Sequence, residues 1–482
     1  MLHTAFPIAE TATEPRRRFS ISSQVIPGLM AAVDSVVILG VALISFLAVV
    51  GDRVEDPSLY LAATAFVWLV TLLLFNFAGL FQFEPILRPL AFADKLVIAF
   101  ATTFLFLLAA AFSLKISAQF SRIWIGSFAA AACTATLVVR LAVAQLLGRL
   151  ADRRVFTRNV VIAGGGEQAR KLIGYIEKAQ PRFVSVLGLF AASPAEAGGH
   201  GRYPVLGSID ELAAYARSCD VDDVILALPW SADEQIMGLM SRLRELPVNV
   251  YLASDLVGFR LPLRKPPDHF GDMPLVEAMG RPLAGWGIVR KAAFDYGAGF
   301  VLTVLLLPLM GLIALLIKLD SRGPVLFRQE RLGFVNRVFH IYKFRTMRCA
   351  QAPEGRTVQA TRNDPRVTRV GRFLRRSSLD ELPQLFNVLN GSMSLVGPRP
   401  HALDHNEAYA QLIRGYFARH RVKPGMTGWA QVNGFRGETR TVEAMEARVK
   451  LDIEYAESWS LLLDLKIMAM TLVICLTGRN AY

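Results

Sequence analysis

Two adjacent carboxylates, Asp380 and Glu381, stand in the run SLDELPQLFNVLNGSMSLVGPRP, with Arg375 and Arg376 just before it and Arg399 near its end. One reading is that they complement a helix dipole, with Ser377 or Ser378 as N-cap. The nearby guanidiniums favour chemistry instead, on a phosphate-bearing water-soluble donor and a lipid acceptor. Apolar residues around the pair suggest a site that faces a membrane. Upstream, Lys343 and Arg345 are two apart in an expected strand, Val338 to Phe344. They share one face if the strand continues, and two cations on a face suit a diphosphate. The rigid stretch SLVGPRP presents Arg399 to an anion. A later loop, VKPGMTGWAQVNGFRGE, mixes Gly, Pro, Trp429, Gln431 and Asn433, a composition suited to binding. The helical segment from Val442 to about Lys466 adds Asp452 and Asp464, weaker candidates for orienting the cations.

The elements that must hold these residues include a membrane anchor. Of 482 residues, 53% are hydrophobic, and the apolar excess is concentrated. Four stretches, Val25–Val50, Leu59–Leu80, Leu90–Ser113 and Trp124–Leu147, are each near the ~20 residues that cross the hydrocarbon layer. They form a block over 23–150, after a cytoplasmic tail over 1–22. Asp34 and Asp94 inside it read as bundle-internal or interfacial. Basic residues precede the first helix (Arg16 to Arg18) and follow the fourth (Arg149, Arg153, Arg154, Arg158), which puts both ends of the block in the cytoplasm. A fifth apolar stretch, within 290–319, has Pro308 near its middle and Arg290, Lys291, Lys318 and Arg322 at its flanks. Basic brackets on both sides and a proline break predict a hairpin that enters one leaflet and returns. The net charge of +13 suits anionic lipid or anionic substrates; no zinc-finger spacing or recognition helix points to nucleic acid. Four scattered cysteines give neither a disulfide framework nor a metal cluster.

Between the two membrane parts, 157–270 reads as a soluble α/β domain with four strands and a parallel sheet. Gly164, Gly166 and Ala169 fit the dinucleotide fingerprint G-x-G-x-x-A. Two readings stand. The glycines serve a tight turn and close packing, or they hold a nucleotide. The second strand runs into FAASPAEAGG, without the acid that would bind a ribose.

From about Arg281 to the C-terminus, the sequence resembles the bacterial sugar transferases, the monotopic polyprenyl-phosphate phosphoglycosyl transferases. The motifs are KLDSRGPVLFRQERLG, YKFRTM, TRVGRFLRRSSLDELPQLFNVLNGSMSLVGPRP, KPGMTGWAQVNGFRGET and WSLLLDLKI. The resemblance implies a membrane α/β protein: a four-helix transmembrane bundle, a Rossmann-like regulatory domain, and a catalytic domain over 281–482 with a re-entrant helix. It implies Asp380 as nucleophile, Glu381 as its partner, and Mg²⁺ held by both. Lys343, Arg345, Arg376 and Arg399 would bind phosphate. Such an enzyme moves a sugar-1-phosphate from a nucleoside diphosphate sugar to undecaprenyl phosphate, at the bacterial inner membrane, with both soluble domains cytoplasmic. GPRPH (Gly397 to His401) and NGFRGET point to UDP-glucose, with UDP-galactose or another UDP-hexose as alternative. A membrane sensor that only binds nucleotide is the non-enzymatic rival, and a homo-oligomer is compatible with either.

Overall fold

In a computed structural model, the described residues are 25–51, 54, 57–152, 157–179, 183–191, 202–229, 231–253, 275–348, 364–401, 403–435 and 441–477. The tail expected over 1–22, most of FAASPAEAGG and part of NGFRGET lie outside them.

The N-terminal apolar stretches are helices: α1 (Ile26–Val49), α2 (Ser58–Phe77), short α3 (Phe83–Leu87), α4 (Ala93–Ser113) and α5 (Arg122–Asp152). Four of them, and one later helix, are long and apolar enough to cross a membrane. They close around one core that includes Ile38, Val67, Phe75, Phe100, Trp124 and Phe128. Val36, Leu61, Phe77 and Phe112 point outward, where only hydrocarbon would shield them. Asp34 is inside, as expected. Arg140 donates to it through Nη2 at 2.6 Å and to the Leu80 carbonyl at 3.1 Å. Both side chains are fully buried, the arrangement an intramembrane charge requires.

The middle domain runs β1 (Arg158–Ala163), α6 (Glu167–Ala179), β2 (Val184–Ala191), β3 (Val205–Ser208), α7 (Leu212–Ser218), β4 (Asp223–Leu226), α8 (Asp233–Leu243), β5 (Asn249–Ala253) and β6 (Leu275–Met279). The sheet order is β3-β2-β1-β4-β5-β6, parallel except for β6. β1 is an apolar run because both faces are covered, by α6 on one side and by α7 and α8 on the other. β3 and β6 were not expected, since four or five residues give too little alternation to read. β6 carries the domain to Met279, past the expected boundary at 270.

The last domain begins with α9 (Trp286–Asp320), followed by the antiparallel pair β7 (Leu326–Leu332) and β8 (Val338–Phe344). Then come α10 (Arg369–Ser377), α11 (Gln384–Leu389), β9 (Ser394–Val396), α12 (Leu403–Leu412), β10 (Gly425–Thr427), α13 (Trp429–Val432), α14 (Val442–Glu457) and α15 (Leu461–Thr477). The expected helix–break–helix is, in its hydrogen bonding, one helix through Pro308. Proline lacks one N–H, so a single i→i−4 bond is lost while the flanking turns keep theirs. Both halves of α9 pack on the same body. Phe294, Ala298 and Leu302 join the core of α11, β9 and α15. Met310, Ile313 and Ile317 pack with Phe344, Leu374, Leu379 and Leu382. Near the start of α9, Asp295 accepts from Ser394 Oγ at 2.9 Å and Leu395 N at 3.1 Å. At its end, Asp320 accepts from Val370 N at 3.1 Å.

Candidate active site

α10 starts at a capped end, with Thr368 Oγ1 accepting from Gly371 N at 2.9 Å. It stops at Ser378, whose φ of 57° is left-handed. A non-glycine residue there is uncommon. It turns the chain into the 3-10 turn Leu379–Glu381, so the acids sit at a corner between α10 and α11. Ser378 stands at the N-cap position of that turn with both acids in it, as expected. Ser378 closes α10 without a side-chain cap bond, and Ser377 Oγ donates back to the Phe373 carbonyl at 2.9 Å.

The corner separates two adjacent acids. Glu381 is saturated by cations: Oε1 accepts from Lys343 Nζ at 2.8 Å and Arg399 Nη2 at 2.5 Å, and Oε2 from Arg399 Nη1 at 2.9 Å. Burial alone would raise its pKa, but the Arg399 and Lys343 charges outweigh it and hold the carboxyl well below the ordinary range. Asp380 is half-buried and its carboxylate makes no hydrogen bond among the described residues. Burial first, and the Glu381 charge second, push it up to about 6, against Lys343, Arg399 and Arg375. Neighbouring carboxyls driven apart in this way take different roles. One is a fixed anion that organises cations. The other is a free carboxylate that ionises near neutral pH.

Arg399 is positioned by close backbone packing. β9 and β10 pair, and a Cβ on Gly425 would lie 2.0 Å from the Gly397 nitrogen. The Arg399 carbonyl accepts from Arg419 Nη2 at 2.5 Å, and Arg419 pairs with Asp452 at 2.8 Å. Asp452 thus acts through Arg419 on the backbone of Arg399. His401 is buried against the same guanidinium, and burial with the Arg419 charge drives its pKa well below the ordinary value.

Three expected site residues lie elsewhere. β8 ends at Phe344, so the shared face of Lys343 and Arg345 fails. Arg345 is buried and donates to the carbonyls of Ser321 at 2.7 Å and Arg322 at 3.0 Å, which caps the end of α9. Arg376 is exposed on α10, and Arg375 is the neighbour whose charge reaches Asp380. Asp464 accepts from Lys291 Nζ at 2.7 Å, Tyr455 Oη at 2.7 Å and Trp459 Nε1 at 3.1 Å, and so ties α15 to α9 and α14. Sequence reasoning passed over Arg331, Arg419 and Arg448. The signal for Arg448 was its place on the buried stripe of α14, with Met445, Val449 and Asp452.

A Mg²⁺ ion takes one or two carboxylates and completes its shell with substrate phosphates and water. The free Asp380 carboxylate fits that part. Glu381 would have to exchange a cation for the metal. No group of three or more metal-binding side chains occurs among the described residues.

In the middle domain, Gly164 has φ +128°, and a Cβ there would meet the Ala227 carbonyl at 2.3 Å. Ala169 is fully buried. Packing explains both. A Cβ on Gly166 would meet only the Gln168 Oε1, at 4.0 Å, so packing does not require that glycine.

Residues 286–478 match the family model described as bacterial sugar transferase, and 76–254 match the one described as CoA-binding domain. The chain is 36% identical over 482 residues to a UDP-glucose:undecaprenyl-phosphate glucose-1-phosphate transferase of Xanthomonas campestris pv. campestris, covering 98% of each. It is 43% identical over 339 residues to an undecaprenyl-phosphate glucose phosphotransferase of Komagataeibacter xylinus, covering 68% of this chain and 61% of that one. It is 44% identical over 198 residues to the exopolysaccharide production protein PSS of Rhizobium leguminosarum bv. phaseoli, covering 40% of this chain and 99% of that one.

Proposed function

We propose that this chain, which belongs to the bacterial sugar transferase family, transfers glucose-1-phosphate from UDP-glucose to undecaprenyl phosphate and releases UMP. One observation carries the reading: a free, partly buried Asp380 beside a Glu381 that holds Arg399 and Lys343 in place. An Asp380 oxygen attacks the sugar-linked phosphorus. The bond from that phosphorus to the bridging oxygen breaks, and its electron pair leaves with UMP. An oxygen of the lipid phosphate then attacks the same phosphorus and frees the carboxylate. Arg399 and Lys343 neutralise the phosphate so that an anion can approach it. Bound Mg²⁺ would add positive charge at the diphosphate.

The membrane arrangement suits a lipid acceptor. Asp295 and Asp320 are both tied to the catalytic domain, yet a straight helix between them is about 37 Å long. That exceeds the ~30 Å hydrocarbon core. A spanning α9 would need parts of one domain on both faces of the bilayer, so we read the helix as re-entrant, bent at Pro308 so that it enters and leaves on the cytoplasmic side. Leu305, Leu312, Phe373, Phe386 and Leu465 are exposed on α9, α10, α11 and α15, a surface for acyl chains beside the Asp380 corner. On this reading the four N-terminal helices form a transmembrane bundle and both soluble domains are cytoplasmic.

The test is purified full-length protein in nanodiscs with Mg²⁺, undecaprenyl phosphate and a panel of UDP-sugars, scored for UMP. UDP-glucose should give the fastest release. A preference for UDP-galactose would overturn the sugar, and no release from any donor would overturn the reaction in favour of a nucleotide sensor.

A further inference from the structure

Arg448 is a buried guanidinium whose donors are not all used among the described residues. It is 5% exposed, on the core-facing stripe of α14. Its Nε and Nη2 are buried and make no hydrogen bond among the described residues. The nearest anion, Asp452, is already paired with Arg419 at 2.8 Å. Arg331 on β7 repeats the pattern: Nη2 donates to Gln329 Oε1 at 2.7 Å, and Nε is buried without a partner among the described residues. Burial first, then neighbouring guanidiniums, push both down to about 10. Arg448 lies one turn before Asp452, which pairs with the Arg419 that donates to the Arg399 carbonyl, and the Arg399 charge acts on Arg331, Arg448 and Asp380 alike, so these groups share one neighbourhood.

Holding unspent donors next to like charge is costly unless an anion completes the site. Around Arg399, the cations Arg331, Lys343, Arg419 and Arg448 outnumber the carboxylates Asp380, Glu381 and Asp452, and His401 is neutral. A nucleoside diphosphate sugar brings one negative charge on each of its two phosphates. In an in-line displacement, the leaving oxygen departs opposite the attacking one.

We infer that Arg448 and Arg331 form the subsite for the phosphate that leaves with the nucleoside; this rests on the transfer reaction proposed above. In the second displacement the lipid phosphate attacks opposite the Asp380 oxygen, and so enters where the nucleoside phosphate has left. Each guanidinium offers a donor to a non-bridging phosphate oxygen.

The test uses full-length protein in nanodiscs with Arg448→Met and Arg448→Lys. Thermal melts are taken without ligand, with UMP and with undecaprenyl phosphate, and KM is measured separately for UDP-glucose and the acceptor. Arg448→Met should melt no lower than wild type without ligand. It should lose about tenfold or more in UMP affinity and raise KM for UDP-glucose similarly. KM for undecaprenyl phosphate should rise as well, because the acceptor enters on the same side, and Arg448→Lys should fall in between. Unchanged UMP affinity overturns the subsite. A rise in KM for the acceptor alone does too, and assigns the guanidinium to the lipid phosphate. A lower melting temperature with unchanged ligand affinities makes Arg448 a packing residue. If Arg448→Met does not fold, Arg331→Gln, on a separate and partly exposed strand, carries the same test. Wild-type protein that binds UMP but releases none from UDP-sugars fails the transfer reading; active wild type with unaffected variants fails only the subsite.

Discussion

Replacing Asp380 by Asn should make the protein more stable and inactive at the same time. The carboxyl is raised from 3.8 to about 6, which corresponds to roughly 3 kcal/mol that ionisation costs the folded state. Solvent access to this half-buried group reduces that to about 1.5–3 kcal/mol. The folded carboxyl loses its proton at higher pH than the unfolded one. The cost is therefore absent below about pH 4, grows between pH 4 and 6, and is complete above 6. Asn cannot ionise, so the variant's advantage should follow the same curve. For a domain of this size, that is a rise of roughly 3–10 °C in melting temperature at pH 7.5 and little change at pH 4. The assay is a thermal melt in nanodiscs without Mg²⁺, because a bound cation would favour the ionised form. In the same preparation, UMP release should fall by at least about a thousandfold. A variant that melts lower than wild type at pH 7.5, or gains stability equally at both pH values, would refute the reasoning and mean that Asp380 is held by partners in the folded state.

Wild-type turnover should climb as pH rises through about 6, as Asp380 ionises, and a flat profile between pH 5 and 7 would count against it as nucleophile. Glu381→Gln removes the anion between Arg399 and Lys343; turnover should drop about a hundredfold and stability by roughly 1–3 kcal/mol, read by UMP release and thermal melts. Arg376→Ala, at an exposed position, should leave kcat within about twofold, whereas Arg399→Ala should abolish turnover. A chain without residues 1–280 should keep measurable turnover, because every proposed site residue lies beyond that cut and α9 attaches it to the membrane; a folded but inactive truncation would show that the middle domain contributes to the site. A cysteine placed at Arg322 should resist an impermeant thiol reagent from the periplasmic side, and rapid labelling there would place α9 across the bilayer.

What could be read in the sequence was local. Asp380 and Glu381 lie on one turn and Arg399 sits on a glycine–proline loop close behind, so composition and short spacing were enough to group them. Long apolar helices were equally legible, to within a few residues at most ends. The readings that failed depended on where a strand or helix stops. Arg345 is one residue past the end of β8, and that single position turns a phosphate binder into a cap for α9. Arg376 and Arg375 are adjacent, and the helical turn alone decides which faces Asp380. The missed guanidiniums come from β7, the turn at Tyr416–Arg421 and α14, and only the tertiary fold brings them to Arg399. Even so, α14 carried a sign. Met445, Arg448, Val449, Asp452 and Tyr455 form one buried stripe at helical spacing, and a helix that puts an arginine and an aspartate four residues apart on its apolar side must satisfy both inside the protein. Arg419 satisfies the aspartate. Among the described residues the arginine is left with free donors, in a family whose substrates are phosphates, which is why a charge on the core side of a helix carries more information here than the many charges on the outside.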